Sequence, residues 1–544
     1  MSSLLSQLTE RVQAATGIDP EMRPATKPQF GHFQSNVALR LAKTTGRPPR
    51  ELAAELAERI DVADLCEPLE VAGPGFLNFR LRPSVLADAA SALLTDPHTG
   101  IAQTDHPQTV VIDYSAPNVA KPMHVGNLRS TIIGDCFHRV LAARGDTVIA
   151  QNHIGDWGTQ FGMLVEYILT EGVDAAGLDL DGSVALYKRA QERFKSDDAF
   201  ADAARRRVVA LQAGDPQTTQ IWQTLIEVSK QGFNEAYARL GVLLTDDDLA
   251  GESLYNAMLP EVADDLASRG IAVVDDGALC VFVEGQEAPL IVRKSDGGYG
   301  YAATDLAAIR YRTTRLGADR IIYVVGMPQT FHFAQVFAVA RRAGYLPAAV
   351  SAEHVAFGSV LGTDGKMLRT RAGRTVTLQS LLDEAEEVAA RPIAMAAVKY
   401  ADLSNQLQKD YVFDAERMTA TTGDTGPYLQ YAHARANQIL RRAQAEGHAW
   451  ERVTVLDEPA EQALALLLSR FGEVVEVVAA DLQPHKLCTY LFELATAMSV
   501  FYEQCPVLRA DGEVRSSRLA LCASVKKVLA TGLELLGIEA PDQM

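Results

Sequence analysis

The spacing of apolar residues changes along the chain and predicts its first domain. "PRELAAELAERI" repeats apolar residues at helical intervals, and "GPGFLNFRL" indicates a turn followed by an alternating strand. The stretch "LLTDPHTGIAQTDHPQ" then loses periodicity and gains Pro, Gly and Asp, which is typical of a linker. We therefore expect a mixed α and β domain over residues 1–105.

From Thr109 the pattern becomes strand, helix, strand, in "TVVIDYS", "LRSTIIGDCFHRVLAARG" and "TVIAQNHIG". The helix shows one apolar face, and Gly145 stands where a helix end favours positive φ. Strand signals return at "ALCVFVEG" and "RIIYVVG". Alternating strands and helices predict a doubly wound parallel sheet over residues 106–400, with a charged helical insertion at about 180–270. Residues 401–544 read almost entirely as helix.

Composition narrows the class of protein. With 544 residues, 48 % of them hydrophobic, and a mean hydropathy of -0.01, we expect several globular domains. No apolar run reaches membrane-spanning length, and the start lacks signal-peptide features, so we expect no membrane association. The six scattered cysteines form no CxxC pair, which predicts a reducing compartment, the cytoplasm, without zinc sites or disulfides. The net charge of -18 argues against nonspecific nucleic-acid binding but not against a specific partner.

"KPMHVGNLRS" stands at the junction between the first parallel strand and its helix. Unpaired N–H groups and the helix dipole make such junctions phosphate sites. The usual GxGxxG is absent, but Gly126 would admit a nucleotide, and His124 and Asn127 could donate to phosphate or ribose oxygens. The alternative is a histidine that only caps a helix. "HIGD" at 153–156 is a second, weaker match, because no long periodic helix follows it at once.

"GTDGKMLRTR" predicts a flexible loop that carries Lys366, Arg369 and Arg371. Such a loop can close over a leaving pyrophosphate, whose charge grows in the transition state. The alternative is a solvated run of charge. Both motifs within one sheet domain are a much rarer combination than either alone.

Together these stretches resemble the two hallmark motifs of class I aminoacyl-tRNA synthetases, HIGH and KMSKS. The segments "VVIDYSAPNVAKPMHVGNLRSTIIGD", "YAATDLAAIRYR", "GMPQTFHFAQVF" and "TGPYLQYAHARANQIL" resemble the arginyl-tRNA synthetase family, and the resemblance runs from "FGHFQSNVALRLAK" to "GIEAPDQM". Two positions depart from the motifs. Asn127 replaces the second histidine, and Arg369 replaces the second lysine, keeping charge but not shape.

The resemblance implies an N-terminal domain at the tRNA elbow, a Rossmann catalytic domain with insertions, and a C-terminal α-helical anticodon-binding domain. It implies that L-arginine and ATP, with Mg²⁺, give arginyl-adenylate and pyrophosphate, and that arginine then passes to the terminal adenosine of its tRNA. In many members activation requires bound tRNA. We expect a monomer without a protein-liganded metal.

The resemblance also implies roles for individual residues. His124, Gly126, Asn127, Lys366 and Arg369 would bind ATP, and all of these except Gly126 would be catalytic. His332 would lie near the adenosine. The guanidinium would meet Tyr301, Asp305 and Gln329, and the amino-acid end Asp113 and Asn118. A carboxylate suits a guanidinium, and Tyr301 and Asp305 stand one helical turn apart. The alternatives are a helix cap at Asp305 and turn chemistry around Asp113 and Asn118.

Candidate tRNA contacts lie at both ends of the chain. Phe33, Gln34 and Asn36 could meet the elbow, although they could equally be core and turn residues. Tyr431 and Met544 resemble residues at the anticodon, although a tyrosine on a bundle helix is more often core.

Two other functions stay open from sequence. An adenylating ligase of another specificity could use both motifs, but the long helical tail argues against it. An inactive tRNA-binding paralogue would explain Asn127, but His124, Lys366, Arg369 and Asp305 argue for activity. Arginine-dependent ATP–pyrophosphate exchange separates the three.

Overall fold

The computed structural model describes residues 3–368, 370–371 and 374–544. The N-terminal part is a four-stranded antiparallel sheet, in the order β1-β2-β4-β3, with helices packed on it. The predicted helix at "PRELAAELAERI" and the strand at "FLNF" are confirmed. Its elements are α1 (Leu4–Thr16), β1 (Arg23–Pro24), β2 (Phe33–Ser35), α2 (Val37–Thr45), α3 (Pro49–Arg59), β3 (Glu70–Ala72), β4 (Phe76–Phe79) and α4 (Pro83–Thr95).

The middle part contains the predicted alternation of strands and helices. Its elements are β5 (Thr109–Asp113), α5 (Val125–Ala143), β6 (Thr147–Gln151), α6 (Thr159–Glu171), α7 (Leu180–Ser196), α8 (Asp198–Gln212), α9 (Pro216–Leu240), α10 (Leu259–Ser268), β7 (Val273–Asp275), β8 (Ala278–Val281), β9 (Leu290–Arg293), α11 (Tyr301–Thr314), β10 (Arg320–Gly326), α12 (Thr330–Arg342), β11 (Ser351–Phe357), β12 (Val360–Leu361), β13 (Thr370–Arg371), β14 (Arg374–Thr375), α13 (Leu378–Val388) and α14 (Arg391–Leu403).

Four strands form the parallel sheet, in the order β11-β10-β5-β6, so the prediction of a Rossmann-type sheet is confirmed. Alternate residues of β5 face two separate cores. Val110 and Ile112 pack with α5, whereas Val111 packs with α11 and α12. The continuous apolar run of β5 therefore reflects a strand buried on both faces.

The C-terminal part is helical, as the pattern predicts. It contains β15 (Tyr411–Val412), α15 (Ala415–Met418), α16 (Gly426–Ala445), α17 (Pro459–Leu468), α18 (Phe471–Asp481), α19 (His485–Gln504) and α20 (Gly512–Leu535). Within the described ranges, no helix has both the length and the apolar character needed to cross a bilayer.

Helix α5 is buried on almost every side, because the sheet covers one face and helices of the C-terminal half cover the other. Its glycine at 134 sits directly against the ring of Tyr114, where a methyl group would come within 2.3 Å of a ring carbon. The close approach fixes how near the helix lies to the end of β5. Gly145, at φ +92°, ends the segment as predicted.

Candidate active site

The histidine turn and the turn that follows β10 lie at the same edge of the parallel sheet. The connection from β5 through α5 to β6 runs in one direction, and that from β10 through α12 to β11 runs in the other. The carboxyl ends of β5 and β10 thus flank a crevice where the winding reverses, the usual ligand site in such sheets. The histidine turn follows β5, and a 3₁₀ turn at Met327–Gln329 follows β10.

His124 is the N-cap of α5 and closes a capping box with Asn127. The N–H of Gly126 donates to Nδ1 of His124 at 2.9 Å, and the N–H of His124 donates to Oδ1 of Asn127 at 3.0 Å. An imidazole nitrogen that accepts a hydrogen bond carries no proton, so the ring is neutral and Nε2 is its donor. Partial desolvation of the ring, followed by the charge of Lys121, lowers the pKa of His124.

The Asn127 side chain makes two hydrogen bonds within the protein, and its predicted contact with the nucleotide stays a prediction. The side chain is buried, and Nδ2 donates to the carbonyl oxygen of Ser115 at 2.9 Å while Oδ1 accepts from His124. Both ends of the amide are therefore engaged within the protein. Asparagine suits this position because a single side chain must accept from one backbone group and donate to another.

The turn between β5 and α5 is strained and held in place from outside. Three non-glycine residues, Ser115, Ala116 and Ala120, have φ values of +73°, +46° and +60°. Such conformations cost about 1–3 kcal/mol each and persist where neighbours enforce them. The side chains that hold them come mainly from α9: Tyr237 bonds Ser115 at 2.7 Å, Ser229 bonds Ala120 at 2.9 Å, and Asn152 bonds Ala116 at 3.0 Å.

Asp305 lies beside His332, with 2.5 Å between its Oδ2 and the Nε2 of the ring. It is the fifth residue of α11, whose N-cap is Gly300, so the alternative of a helix cap is wrong. Tyr301 begins the same helix and is 76 % exposed, and Gln329 is exposed at the end of β10. The start of α11 and the turn after β10 thus expose a phenol and an amide, and Asp305 and His332 join α11 to α12.

Glu252 is a candidate site residue that the sequence patterns did not reveal. Burial, with the nearby charges of Asp156 and Asp305, raises its pKa to about 7. Asp156 is itself fixed by the N–H of Ser253 at 2.9 Å and by its hydroxyl at 2.5 Å. No local signal in "GESLY" could have found Glu252, because only the fold brings this segment to Asp305.

Asp113 is paired with a guanidinium of the protein itself. Arg312 Nη2 donates to Oδ2 of Asp113 at 2.7 Å, and its Nε donates to Oε1 of Gln151 at 2.6 Å. Asp113 and Arg312 are both buried. The Asp113 carboxylate, which is predicted to bind the substrate, therefore already has a counter-ion within the protein. The sequence spacing could have predicted a role for Arg312 near the site, because it lies seven residues after Asp305 and hence on the same face of α11.

Asn118 lies on the side of the crevice that is formed by the segment after β6. Its backbone forms a bridge with Gly155, and a methyl group at Gly155 would come within 2.4 Å of the Asn118 Oδ1. The weaker match "HIGD" therefore supplies the glycine that makes room for Asn118. It does not begin a helix, because α6 starts only at Thr159.

The cationic loop folds back on itself around Gly365, at φ +71°. The N–H of Gly362 donates to the carbonyl of Lys366 at 2.8 Å, and the Lys366 side chain is exposed. Beyond the loop, the N–H of Leu378 donates to the carbonyl of Met123 at 2.9 Å, next to the histidine turn. The predicted site residue Arg369 lies outside the described residues.

The candidate tRNA residues of the N-terminal part differ in exposure. Phe33 is 2 % exposed in the core, so its ring cannot stack on a base, and the alternative of a core residue is supported. Gln34 donates to Asn78 at 2.8 Å and Asn36 donates to Glu21 at 3.2 Å, both half-buried.

Tyr431 and Met544 lie on one surface although 113 positions separate them in sequence. They are 43 % and 49 % exposed and line a groove of about 1110 Å³. Arginines share that groove: Arg435, Arg441, Arg442 and Arg509. Because Tyr431 is exposed, the alternative of a core tyrosine is wrong. An aromatic ring among cations suits an unstacked nucleotide.

Three family models match the chain. They are the arginyl tRNA synthetase N-terminal domain over residues 2–81, the class I (R) tRNA synthetase catalytic domain over 89–393, and the DALR anticodon binding domain over 429–544. Arginine–tRNA ligases from Cutibacterium acnes and Thermobifida fusca are 66 % and 52 % identical, with 100 % and 99 % of each chain covered. The Thermus thermophilus arginyl-tRNA synthetase structure superposes with a TM-score of 0.83 at 26 % identity, over 99 % of this chain and 100 % of that one.

We expect His124 to titrate below its ordinary pKa of 6.5. Protonation would place a hydrogen on Nδ1, against the N–H of Gly126. Because the unfolded chain binds that proton more readily, the cap's contribution to stability is present above pH 6.5 and is lost as the pH falls toward the folded-state pKa. Histidine ring NMR across this pH window measures the value. Lys121→Gln is the control: the pKa should stay below 6.5, since desolvation is the larger cause. A pKa above 6.5 would contradict the capped, neutral ring.

Proposed function

We propose that the crevice at β5 and β10 activates arginine with ATP and charges arginine tRNA, because the chain belongs to the class I arginyl-tRNA synthetase family and is an arginine–tRNA ligase. The observation that supports this assignment is the proximity of the Asp305 and Glu252 carboxylates, with Asp305 bonded to His332 in α12. A pocket with carboxylates from α11 and from the segment before α10 suits a planar cation.

In this proposal the substrate guanidinium lies among Asp305, Glu252 and Tyr301, with Gln329 at the rim. A guanidinium presents five donors in one plane, so carboxylates on two sides can each accept from it. Burial, followed by repulsion from Asp156 and Asp305, raises the pKa of Glu252, and the charge of a bound cation would offset that repulsion. The pocket is thus prepared for positive charge, which distinguishes arginine from neutral amino acids.

The amino-acid end of the substrate lies at Asp113 and Asn118. Arg312 holds one oxygen of Asp113 and sets the orientation of the carboxylate. The Asn118 amide, in the space left by Gly155, completes the contacts to the α-ammonium group. We therefore assign Arg312 a positioning task, one step behind the substrate.

ATP lies across the histidine turn and the start of α5. The Nε2–H of His124 donates to the phosphates, and Gly126 lets them approach the helix N-terminus. Asn127 acts through His124 rather than on the nucleotide. His332 lies between Asp305 and the adenosine side of the crevice. Mg²⁺ enters with ATP, bound to its phosphates.

In the first step an oxygen of the arginine carboxylate attacks the α-phosphorus, and the bond to pyrophosphate breaks. No covalent enzyme intermediate is needed, so catalysis rests on position and on charge stabilisation by His124, Lys366 and Arg369. In the second step a ribose hydroxyl of the tRNA attacks the arginyl carbonyl and AMP leaves.

The tRNA spans the chain in this proposal. Its anticodon lies in the groove of Tyr431 and Met544, and its elbow lies at the surface around Gln34 and Asn36. We further propose a monomer acting in the cytoplasm, where the six free, buried cysteines would stay reduced.

ATP–pyrophosphate exchange with and without tRNA tests the function. Exchange that depends on arginine supports it, whether or not tRNA is also required. Exchange that proceeds equally with another amino acid, or tRNA binding without any exchange, would contradict it.

Asp305→Asn should weaken the binding of arginine far more than the binding of ATP. The substitution keeps the shape but leaves a partly buried cation facing a neutral amide, at a cost of roughly 3–5 kcal/mol. The arginine KM in the exchange assay measures the effect. Asp265→Asn, which removes a carboxylate bonded to Tyr345 and Arg269 instead, should change neither KM. Equal loss of arginine and ATP affinity would make Asp305 structural.

Arginine binding should release protons near pH 7. Glu252, with a pKa of about 7, is half protonated in the free enzyme, and a bound guanidinium would favour its carboxylate. Arginine affinity should therefore fall as the pH drops below 7. Calorimetry in buffers of different ionisation enthalpy counts the protons, and Glu252→Gln should abolish both the release and the pH dependence. Unchanged proton release in that variant would place the titrating group elsewhere.

Lys366→Ala should slow adenylate formation while leaving the ATP KM within a small factor. Charge that acts only in the transition state lowers the barrier without tightening ground-state binding. Transfer from preformed adenylate should be almost unaffected, because pyrophosphate has already left. Single-turnover measurement of both steps tests this prediction. Lys486 is also an exposed lysine, and Lys486→Ala is the matched control. A variant slowed equally in both steps would exclude the transition-state role.

A further inference from the structure

A buried guanidinium on α5 lies close behind the histidine turn. Arg129 stands five residues after His124, and its Nε lies 3.2 Å from both carboxylate oxygens of Asp402. Both side chains are 0 % exposed. Nη1 of Arg129 also donates to the carbonyl of Lys409 at 3.1 Å. None of the proposed substrate contacts uses this pair, and an apolar pair of similar volume would cost less to bury.

The contacts of Arg129 converge on the strands that carry the cationic loop. Its guanidinium carbon lies 5.6 Å from the ring centre of Phe357, the last residue of β11, and 5.3 Å from that of Tyr411 in β15. β15 pairs in parallel with β12, and the loop begins directly after β12. The N–H of Gly358 donates to the carbonyl of Leu407 at 2.9 Å, which attaches the connection between β11 and β12 to the segment before β15.

The other end of the loop is also attached to the histidine turn. Leu378 donates to Met123, and the backbones of His124 and Thr377 form a β-bridge. Both ends of the loop segment are therefore fixed to α5 or to the residues that begin it. Arg129 supplies the attachment at the start of the loop, and Met123 supplies the one at its end.

We propose that Arg129, together with Asp402, is a positioning residue that sets where Lys366 stands relative to His124 during adenylate formation. The inference rests on the proposed function of Lys366. The guanidinium is suited to this because its fixed fork meets Asp402 and the Lys409 carbonyl at once, between two aromatic rings. A lysine ammonium keeps the charge but cannot reach both acceptors with the same geometry.

The test is Arg129→Lys, measured in both half-reactions by single turnover. A misplacement of the loop by about 1 Å should slow adenylate formation about 10- to 100-fold at saturating ATP. Transfer from preformed adenylate should stay within about threefold of wild type. Asp402→Asn, which keeps the shape of its side chain, should show the same split and serves if Arg129→Lys does not fold.

A double-mutant cycle with Lys366→Ala identifies the route of the effect. If Arg129 acts by placing Lys366, Arg129→Lys should slow the reaction no further in the Lys366→Ala background. If the two substitutions slow adenylate formation by independent factors that multiply, the proposal is overturned. An unchanged rate of adenylate formation in Arg129→Lys alone would also overturn it.

The matched control is Arg518→Lys in the C-terminal part. Arg518 also pairs with a buried carboxylate, with 2.6 Å between its Nε and Oε1 of Glu461, and donates to the carbonyl of Pro506 at 2.9 Å. This variant should lower the unfolding temperature and leave the two half-reactions in their wild-type ratio. If Arg129→Lys behaves like this control, the pair of Arg129 and Asp402 has only a structural role and the proposal is overturned. Absence of arginine-dependent exchange in the wild type would instead refute the proposed function.

Discussion

The cap that His124 places on α5 is the interaction on which the site depends. It exists only while the ring is neutral, because Nδ1 must accept the N–H of Gly126. It also requires the backbone before it to bend sharply, through residues in the left-handed region. That bend costs energy, which bonds from Tyr237 and Ser229 on α9 and from Asn152 after β6 offset. The helical insertion therefore also supports the turn between β5 and α5.

The polar residues of α5 connect the site to the rest of the chain. Ser130 accepts from the N–H of Ser115 and donates to the carbonyl of Val324, so it joins the ends of β5 and β10. Asp135 accepts from the N–H of Leu243 and from Arg139. Buried polar groups are stable only with every partner in place, so each connection specifies one arrangement of neighbouring elements.

The same helix receives the end of the chain. Gly537, at φ +67°, lies so close to Asp135 and Lys399 that a methyl group there would come within 2.9 Å of both side chains. Lys399 donates to the Gly537 carbonyl, and burial lowers the pKa of this lysine to about 8. From Gly537 the chain continues along α16 to Met544 in the arginine-lined groove. The C-terminal segment that ends in the proposed anticodon groove is thus packed, at Gly537, against the helix that His124 caps.

The sequence by itself determined the elements and the two motifs, because helical and strand periodicity and turn chemistry are local properties. It placed β5, α5 and β6, and it singled out the stretches that contain His124 and Lys366 as candidate motifs. Only the tertiary structure decided which side chains are free to meet a ligand. It turned Asn127 inward, buried Phe33, paired Asp113 with Arg312, and brought Glu252 to Asp305. These outcomes depend on contacts between segments far apart in the chain, and periodicity carries no information about which distant groups become partners.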